Sequence, residues 1–514
     1  MADGDLILAI DQGTSSTRAI AWDASWNAVA GASRRLAIHH PRPGWAEQDP
    51  DAILASVVEA VGEVVVAIGG TRRIAAVGLA NQGETVVPWD TRTGEALGPA
   101  VVWHCRRSQA IVDRIAAAGH GPAIRERTGL PLDPYFSAGK IRWLIEELPA
   151  VARAAAAGRL AIGTVDAWLT ARLGGIARTD ASTASRTQLF GLASLAWEDD
   201  LLDWWGVPRE VLPLAGPSAG DLGELGHASW DGPLPLRAML CDQQAALVGQ
   251  GGHRPGTIKA TYGTGVFVLA QAGPVAPTPP PGILVTVAWT DADGRPTYAL
   301  DGGVFSAGSL LDWLRTGLHL IETPADLDRL AGDVADAGGV RLLPALAGLG
   351  APWWNPDARA VIAGLTAASR PGHIARAAID AIAQRVADVV EAMAPGLADP
   401  SAPLRVDGGL TASALLVQRQ ADLVGRPIDV AAATEATALG VALMAAIGAG
   451  RMTESEAAAV PAIARRVEPD PAEGQRAVER AAWRQFVRQA AALEPLSIHM
   501  PKPAAAPSTD PPLI

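Results

Sequence analysis

One local pattern is written twice in this chain. Residues 6–23, LILAIDQGTSSTRAIAWD, run from an apolar segment through a small-residue turn into a second apolar segment. Residues 257–273, TIKATYGTGVFVLAQAG, do the same around a second Gly-Thr turn. Each reads as a strand, a tight turn and a returning strand. With 514 residues the chain is long enough for two or three full cores. The echo therefore predicts two related domains that each offer a turn to one ligand. Strand–turn–strand is also common enough to recur by chance, and the echo alone does not separate the two readings. The division falls near GQGGHRPG (249–256), where glycines and a proline cluster. This gives an N-terminal domain over 1–250 and a C-terminal domain over 251–497. The Pro- and Ala-rich stretch 498–514 is expected to be disordered.

Between the hairpins, short β-branched runs alternate with Ala-rich helical spacing. RRIAAVGLA (72–80), GTIKATYG (256–263) and PLRVDGG (403–409) read as strands. Residues 50–69 and 371–394 read as helices, the second opening on Pro371 as a first-turn proline should. Strands interleaved with helices predict an α/β architecture.

A formal charge of −12 and the lack of any Arg or Lys run argue against a nucleic-acid partner. Lysine is nearly absent, confined to Lys140, Lys259 and Lys502. Two cysteines, Cys105 and Cys241, indicate no disulfide framework and fit a reducing compartment. MADGDLILAI has no basic n-region, and the apolar stretches are too short to span a bilayer. The expectation is a cytoplasmic protein with no membrane span.

Three stretches carry chemistry. In DQGTSSTR, Asp11 precedes a turn whose N–H groups and hydroxyls could form a nest for phosphate oxygens. A carboxylate beside phosphates is repulsive unless a cation lies between them, and Mg²⁺ binds through one or two carboxylates plus substrate phosphates. An ordinary hairpin with Asp in a turn-favouring position explains Asp11 equally well in isolation. In MLCDQQAALVGQG (239–251), Asp242 follows an apolar strand and opens a small-residue helix. That is a usual place for an active-site carboxylate in α/β folds, and also for a helix N-cap. In RVDGGLTASALL (405–416), Gly408 and Gly409 would let a flat group approach the backbone.

Taken in order, these stretches resemble glycerol kinases of the FGGY carbohydrate kinase family. The resemblance is carried by Asp-Gln-Gly-Thr near the start, TGLPLDPYFSAGKIRWL (128–144), GTVDAWL (163–169) and TDASTASRTQLF (179–190). It continues through CDQQAALVGQ (241–250), TYGTGVFVL (261–269), LAGLGAPWWNPDARAVIAGLT (346–366) and RVDGGLTAS (405–413). It implies an α/β, two-domain actin/hexokinase-like (ribonuclease H-like) fold with polyol and ATP in the interdomain cleft. By matching motif, Asp242 resembles the catalytic base and Gln243 a polyol partner. Glu84 and Tyr135 resemble polyol contacts, and Trp103 and Phe267 the apolar wall. Thr14, Ser15, Ser16, Arg18 and Thr264 match nucleotide-phosphate contacts, while Gly308 and Gly409 match positions around the nucleoside. Asp11 would hold Mg²⁺, directly or through water. ATP and Mg²⁺ are the implied cofactors, and a homodimer or homotetramer is compatible with the resemblance.

The match departs at GLANQGETVVPWD (78–90), where Gly83 stands in place of an arginine that donates to glycerol hydroxyls. The cation is gone and space is expected to open, either weakening glycerol binding or admitting a longer polyol such as erythritol, a pentitol or a ketopentose. Arg106, Arg107 or a water could instead replace it. On the nucleotide side Asp312 stands where a glutamine is expected and Ser413 where an asparagine is, which shifts nucleoside contacts. GELGHASWDGPLPLR (223–237) does not reproduce a sugar-bisphosphate regulatory loop. The expected activity is ATP-dependent phosphorylation of a primary hydroxyl of a small polyol, glycerol first. The rival of another class is an inactive ligand-binding regulator on the same fold; retention of Asp11, Asp242 and both turns argues against it.

Overall fold

Both halves of the chain build a sheet with the same strand order. A computed structural model describes residues 4–493 except 255, 398, 400, 433–434 and 471–472. The tail expected to be disordered lies outside the described residues. In the first half, β1 (Leu6–Gln12), β2 (Ser16–Trp22) and β3 (Ala28–Arg35) form an antiparallel meander. Helix α1 (Pro50–Ile68) then leads to β4 (Ile74–Asn81), which lies parallel to β1. Much later β5 (Leu234–Cys241) adds parallel to β4 and runs straight into α2 (Asp242–Gly249).

The second half repeats the scheme. β6 (Ile258–Tyr262) and β7 (Val266–Gly273) are the second hairpin. β8 (Leu284–Thr290) and β9 (Pro296–Val304) follow, and β9 pairs antiparallel with β7. After α3 (Gly308–Thr316) and the long α4 (Pro371–Met393), β10 (Leu404–Asp407) pairs parallel to β6. β11 (Ile428–Ala431) then pairs parallel to β10. The orders β5-β4-β1-β2-β3 and β11-β10-β6-β7-β9 correspond strand for strand. The sequence echo is therefore the start of a repeated topology, with three antiparallel and two parallel strands in each half.

Local chemistry explains the helices that were expected. Asp49 caps α1 by accepting from the Asp51 N–H, Pro50 occupies its first turn, and Gly69 ends it in the left-handed region. The spacing of α4 sets Ile374, Ala378, Ile382 and Val386 on one face; Ala378, Ile382 and Val386 are buried and Ile374 is half-buried. A third unit is built mainly from the stretch between β4 and β5, with residues 47–48, from before α1, adding its edge strand. Its small sheet joins 47–48, 100–101, 86–90 and 160–164 over a separate apolar core. The flanking loops carry Glu84, Trp103 and Tyr135.

One helix crosses the division expected near residues 249–256. α5 (Ala436–Gly448), from the second half, packs on β1, β4 and β5 of the first sheet. It meets α2 backbone to backbone: a Cβ on Gly440 would lie 1.8 Å from Ala245 O, and one on Gly249 would lie 1.9 Å from Ala436 O. Gly440→Ala is therefore expected to cost about 1–3 kcal/mol by overpacking. Thermal unfolding would register this as a lowered Tm, and an unchanged Tm would show that the crossing relaxes freely.

Candidate active site

Asp242 is the first residue of α2, and the cap position belongs to Cys241. The carboxylate Oδ1 accepts from the Gln243 N–H at 2.7 Å. Burial pushes the Asp242 pKa up, opposed by that N–H and by Lys259. A carboxylate tuned upward is a better proton acceptor than a solvated one. Gln243 Oε1 accepts from Lys259 Nζ at 2.7 Å, a contact between the two halves of the chain. Lys259 is fully buried on β6, and Thr261 Oγ1 is its second partner, at 3.1 Å. Burial lowers its pKa, while Asp407 and Asp242 act to keep it charged.

Asp11 lies at the end of β1, opposite Arg18 in the hairpin register. Burial first, and Asp242 second, push its pKa up to about 7, with Arg18 opposing. Arg18 itself pairs with Glu435 at 2.7 Å, just before α5. In the turn, Thr14 Oγ1 accepts from Trp103 Nε1 at 3.0 Å, and its carbonyl accepts from Gln48 at 2.7 Å. Ser15 is exposed and Ser16 partly so. The second turn is fixed by α3: the Ala307 and Ser309 N–H groups both donate to Thr264 O at 3.0 Å. Gly308 is required there, because its Cβ would come within 2.6 Å of Gly263 O.

The residues expected to meet the acceptor converge as well. Trp103 packs edge-on against Tyr135 at 5.5 Å and Phe267 at 6.3 Å between ring centroids, so its wall draws on both halves. Glu84 is buried in a three-residue turn closed by the Thr85 N–H to Gly83 O at 2.7 Å, with its own φ at 55°. A non-glycine residue held there is strained, and such strain gathers at functional sites. Arg186 clamps it: Nε donates to Glu84 Oε1 at 2.6 Å, and Nη1 pairs with Asp301 Oδ2 at 2.7 Å. Burial alone would lower the Arg186 pKa, but Glu84 and Asp301 outweigh it and hold the guanidinium charged.

Residues 6–249 match the N-terminal domain of the FGGY family of carbohydrate kinases, and residues 258–449 match its C-terminal domain. The chain belongs to that family. A glycerol kinase of Citrifermentans bemidjiense is 43% identical to this FGGY chain over 490 residues, 94% of this chain and 98% of the relative. The crystal structure of Plasmodium falciparum glycerol kinase with ADP aligns with a TM-score of 0.88 at 29% identity, covering 95% of this chain and 99% of that one. A xylulose kinase structure from Rhodospirillum rubrum aligns at 0.83 with 25% identity, covering 94% and 99%.

At Gly83 the thiol of Cys241 enters part of the space expected to open there. A Cβ at that position would lie 2.7 Å from Cys241 Sγ, while no other heavy atom comes within 4 Å of it. Arg106 and Arg107 do not replace the missing cation. Arg107 pairs with Glu47 at 2.7 Å and stacks on Trp45, while Arg106 donates to Gln109 at 2.7 Å. The guanidinium beside Glu84 comes from Arg186.

The positions expected around the nucleoside are more dispersed in character. Gly409 opens onto space, with nothing within 4 Å of its missing Cβ. Asp312 is an exposed helix-surface residue paired with Arg315 at 3.1 Å. Ser413 spends its hydroxyl on capping the helix over 414–424, accepting from the Leu416 N–H, and on Asp328. Sequence reasoning missed Arg186, Lys259, Lys140 and Asp301. Lys140 is fully buried, with Nζ donating to Tyr135 O and Glu84 O. In a chain with three lysines, two of them inside apolar strand and helix patterns, the rarity itself was the available signal.

Proposed function

We propose that this chain transfers the γ-phosphoryl group of ATP to a primary hydroxyl of glycerol, with Asp242 as the base. What supports this most is the position of Asp242, between the Asp11 turn on one side and the Glu84, Trp103 and Tyr135 cluster on the other. Glu84, steadied by Arg186, orients the acceptor hydroxyls, and Gln243, steadied by Lys259, assists beside the base. Asp242 takes the hydroxyl proton as the alcohol oxygen bonds to the γ-phosphorus. The bond from that phosphorus to the β–γ bridging oxygen breaks, and ADP leaves. The Thr14–Ser16 and Thr264 turns offer N–H groups and hydroxyls to the phosphates. The Cys241 thiol beside Gly83 narrows that part of the site, which favours glycerol over a longer polyol.

The donor set around Asp11 fits Mg²⁺. Its carboxylate accepts no hydrogen bond among the described residues, and a second carboxylate, Asp242, raises its proton affinity. Among those residues no group of three or more His, Cys, Asp or Glu side chains forms a cage. Mg²⁺ characteristically completes such a shell with phosphate oxygens and water. When bound there the ion neutralises charge developing on the phosphates.

Asp11 makes a pH prediction. Its folded value, about 7, lies above the ordinary 3.8, so the folded chain holds a proton that the unfolded chain releases. That contribution to stability is full below the ordinary value and is lost as pH rises towards 7. Cation binding needs the ionised form, so Mg·ADP binding should expel a proton at about pH 6 and much less at about pH 8. Calorimetry in buffers of different ionisation enthalpy reads this directly. The excess release should disappear in Asp11→Asn; its persistence would show that the nucleotide alone supplies the proton.

A coupled ADP-release assay with Mg·ATP tests the activity by comparing kcat/KM for glycerol, erythritol, the pentitols, dihydroxyacetone and the ketopentoses. Glycerol should lead by a wide margin. A lead for any longer acceptor would overturn the choice of substrate, and turnover of none would overturn the activity.

A further inference from the structure

We infer that Cys241 and Gly83 act as one steric pair that limits the length of acceptor this site takes, an inference that rests on the polyol phosphotransfer proposed above. Gly83 is not in the left-handed region, so its backbone would accept any side chain. A single atom stands in its way. Cys241 Sγ lies 2.7 Å from where a Cβ would be, closer than real contacts come, and no other heavy atom lies within 4 Å. The strand register explains the encounter: Cys241, at the end of β5, pairs with Asn81 at the end of β4, two residues before Gly83.

The thiol stands between the base and the acceptor turn. It is buried, with Sγ 3.7 Å from Asp242 Oδ1 on one side and the residue before Glu84 on the other. It has no disulfide partner. A thiol is a poor hydrogen-bond partner for a hydroxyl, so it offers an extra CHOH unit neither room nor a good contact. The pair thus replaces a side chain at position 83 with one reaching over from position 241. Cys241 becomes the wall that a fourth carbon would strike.

Four proteins test this: the natural chain, Cys241→Gly, Gly83→Ala and the double variant, each assayed with glycerol and erythritol and each melted thermally. Cys241→Gly should raise the erythritol-to-glycerol ratio of kcat/KM about tenfold or more, the scale set by room for one carbon unit. Gly83→Ala alone should lose at least about tenfold on glycerol, and adding Cys241→Gly should recover most of that loss, because one clash is removed. Recovery of a cooperative melt by the double variant, where Gly83→Ala fails to fold, supports the pair equally. Should Cys241→Gly fold poorly, Cys241→Ala should move the ratio the same way by a smaller factor. An unchanged ratio in folded Cys241 variants, or losses that simply multiply in the double variant, would overturn the inference. Failure of the natural chain to phosphorylate glycerol would instead overturn the underlying activity.

Discussion

Asp242→Asn is expected to lower kcat by about 10²–10⁴-fold, the usual contribution of a positioned general base. Asparagine keeps an oxygen for the Gln243 N–H that Asp242 Oδ1 accepts, so α2 should start as before. The Lys259–Gln243 contact between the halves does not involve the Asp242 side chain and should persist. ADP affinity and Tm should therefore change little while single-turnover phosphoryl transfer collapses. A loss below tenfold would place proton removal elsewhere.

Arg186→Met should have the largest effect on stability. Arg186 joins Glu84 and Asp301, and all three side chains are at most 8% exposed. Removing the guanidinium leaves two carboxylates buried without their cation, which costs about 3–5 kcal/mol in comparable buried pairs. The strained turn at Glu84 also loses the clamp on its side chain, so the KM for glycerol should rise well beyond any change in the KM for ATP. Denaturant unfolding measures the first effect and initial rates the second. Adding Glu84→Gln and Asp301→Asn should return much of the stability without the acceptor affinity, because uncharged amides need no cation but bind hydroxyls differently. A stability loss below about 1 kcal/mol for Arg186→Met would mean that water already screens the pair.

Periodicity made the hairpins, α1 and α4 legible, because each sets apolar residues at a regular interval and carries its own punctuation. Asp49, Pro50 and Gly69 mark both ends of α1 within the sequence itself. The correspondence of the two sheets could only be suspected, since β3 and β9 have no signature beyond being strands. The passage of α5 onto the first sheet was hidden for a different reason. Its small-residue run reads as any buried helix, and Gly440 and Gly249 acquire meaning only when the two helices meet.

At the site, residues inside motifs were nameable, whereas those that act through another side chain were not. Arg186 sits in TDASTASRTQLF without any local mark of its partner Glu84, 102 positions earlier. Gly83 shows the opposite hazard. Read alone it implies a hole, and a thiol from a strand distant in sequence reaches into it. Ser413 and Asp312 illustrate a third limit: a polar side chain at a matching position can already be engaged in a cap or a helix-surface ion pair.

The most direct measurement is identification of the product. Protein, Mg·ATP and glycerol would be followed by ³¹P NMR, with Asp242→Asn in parallel. The natural chain should convert the γ-phosphoryl signal into glycerol 3-phosphate, one for each ADP formed, while the variant remains near background. ADP accompanied by free phosphate, or product formed equally by both proteins, would contradict transfer to glycerol through Asp242.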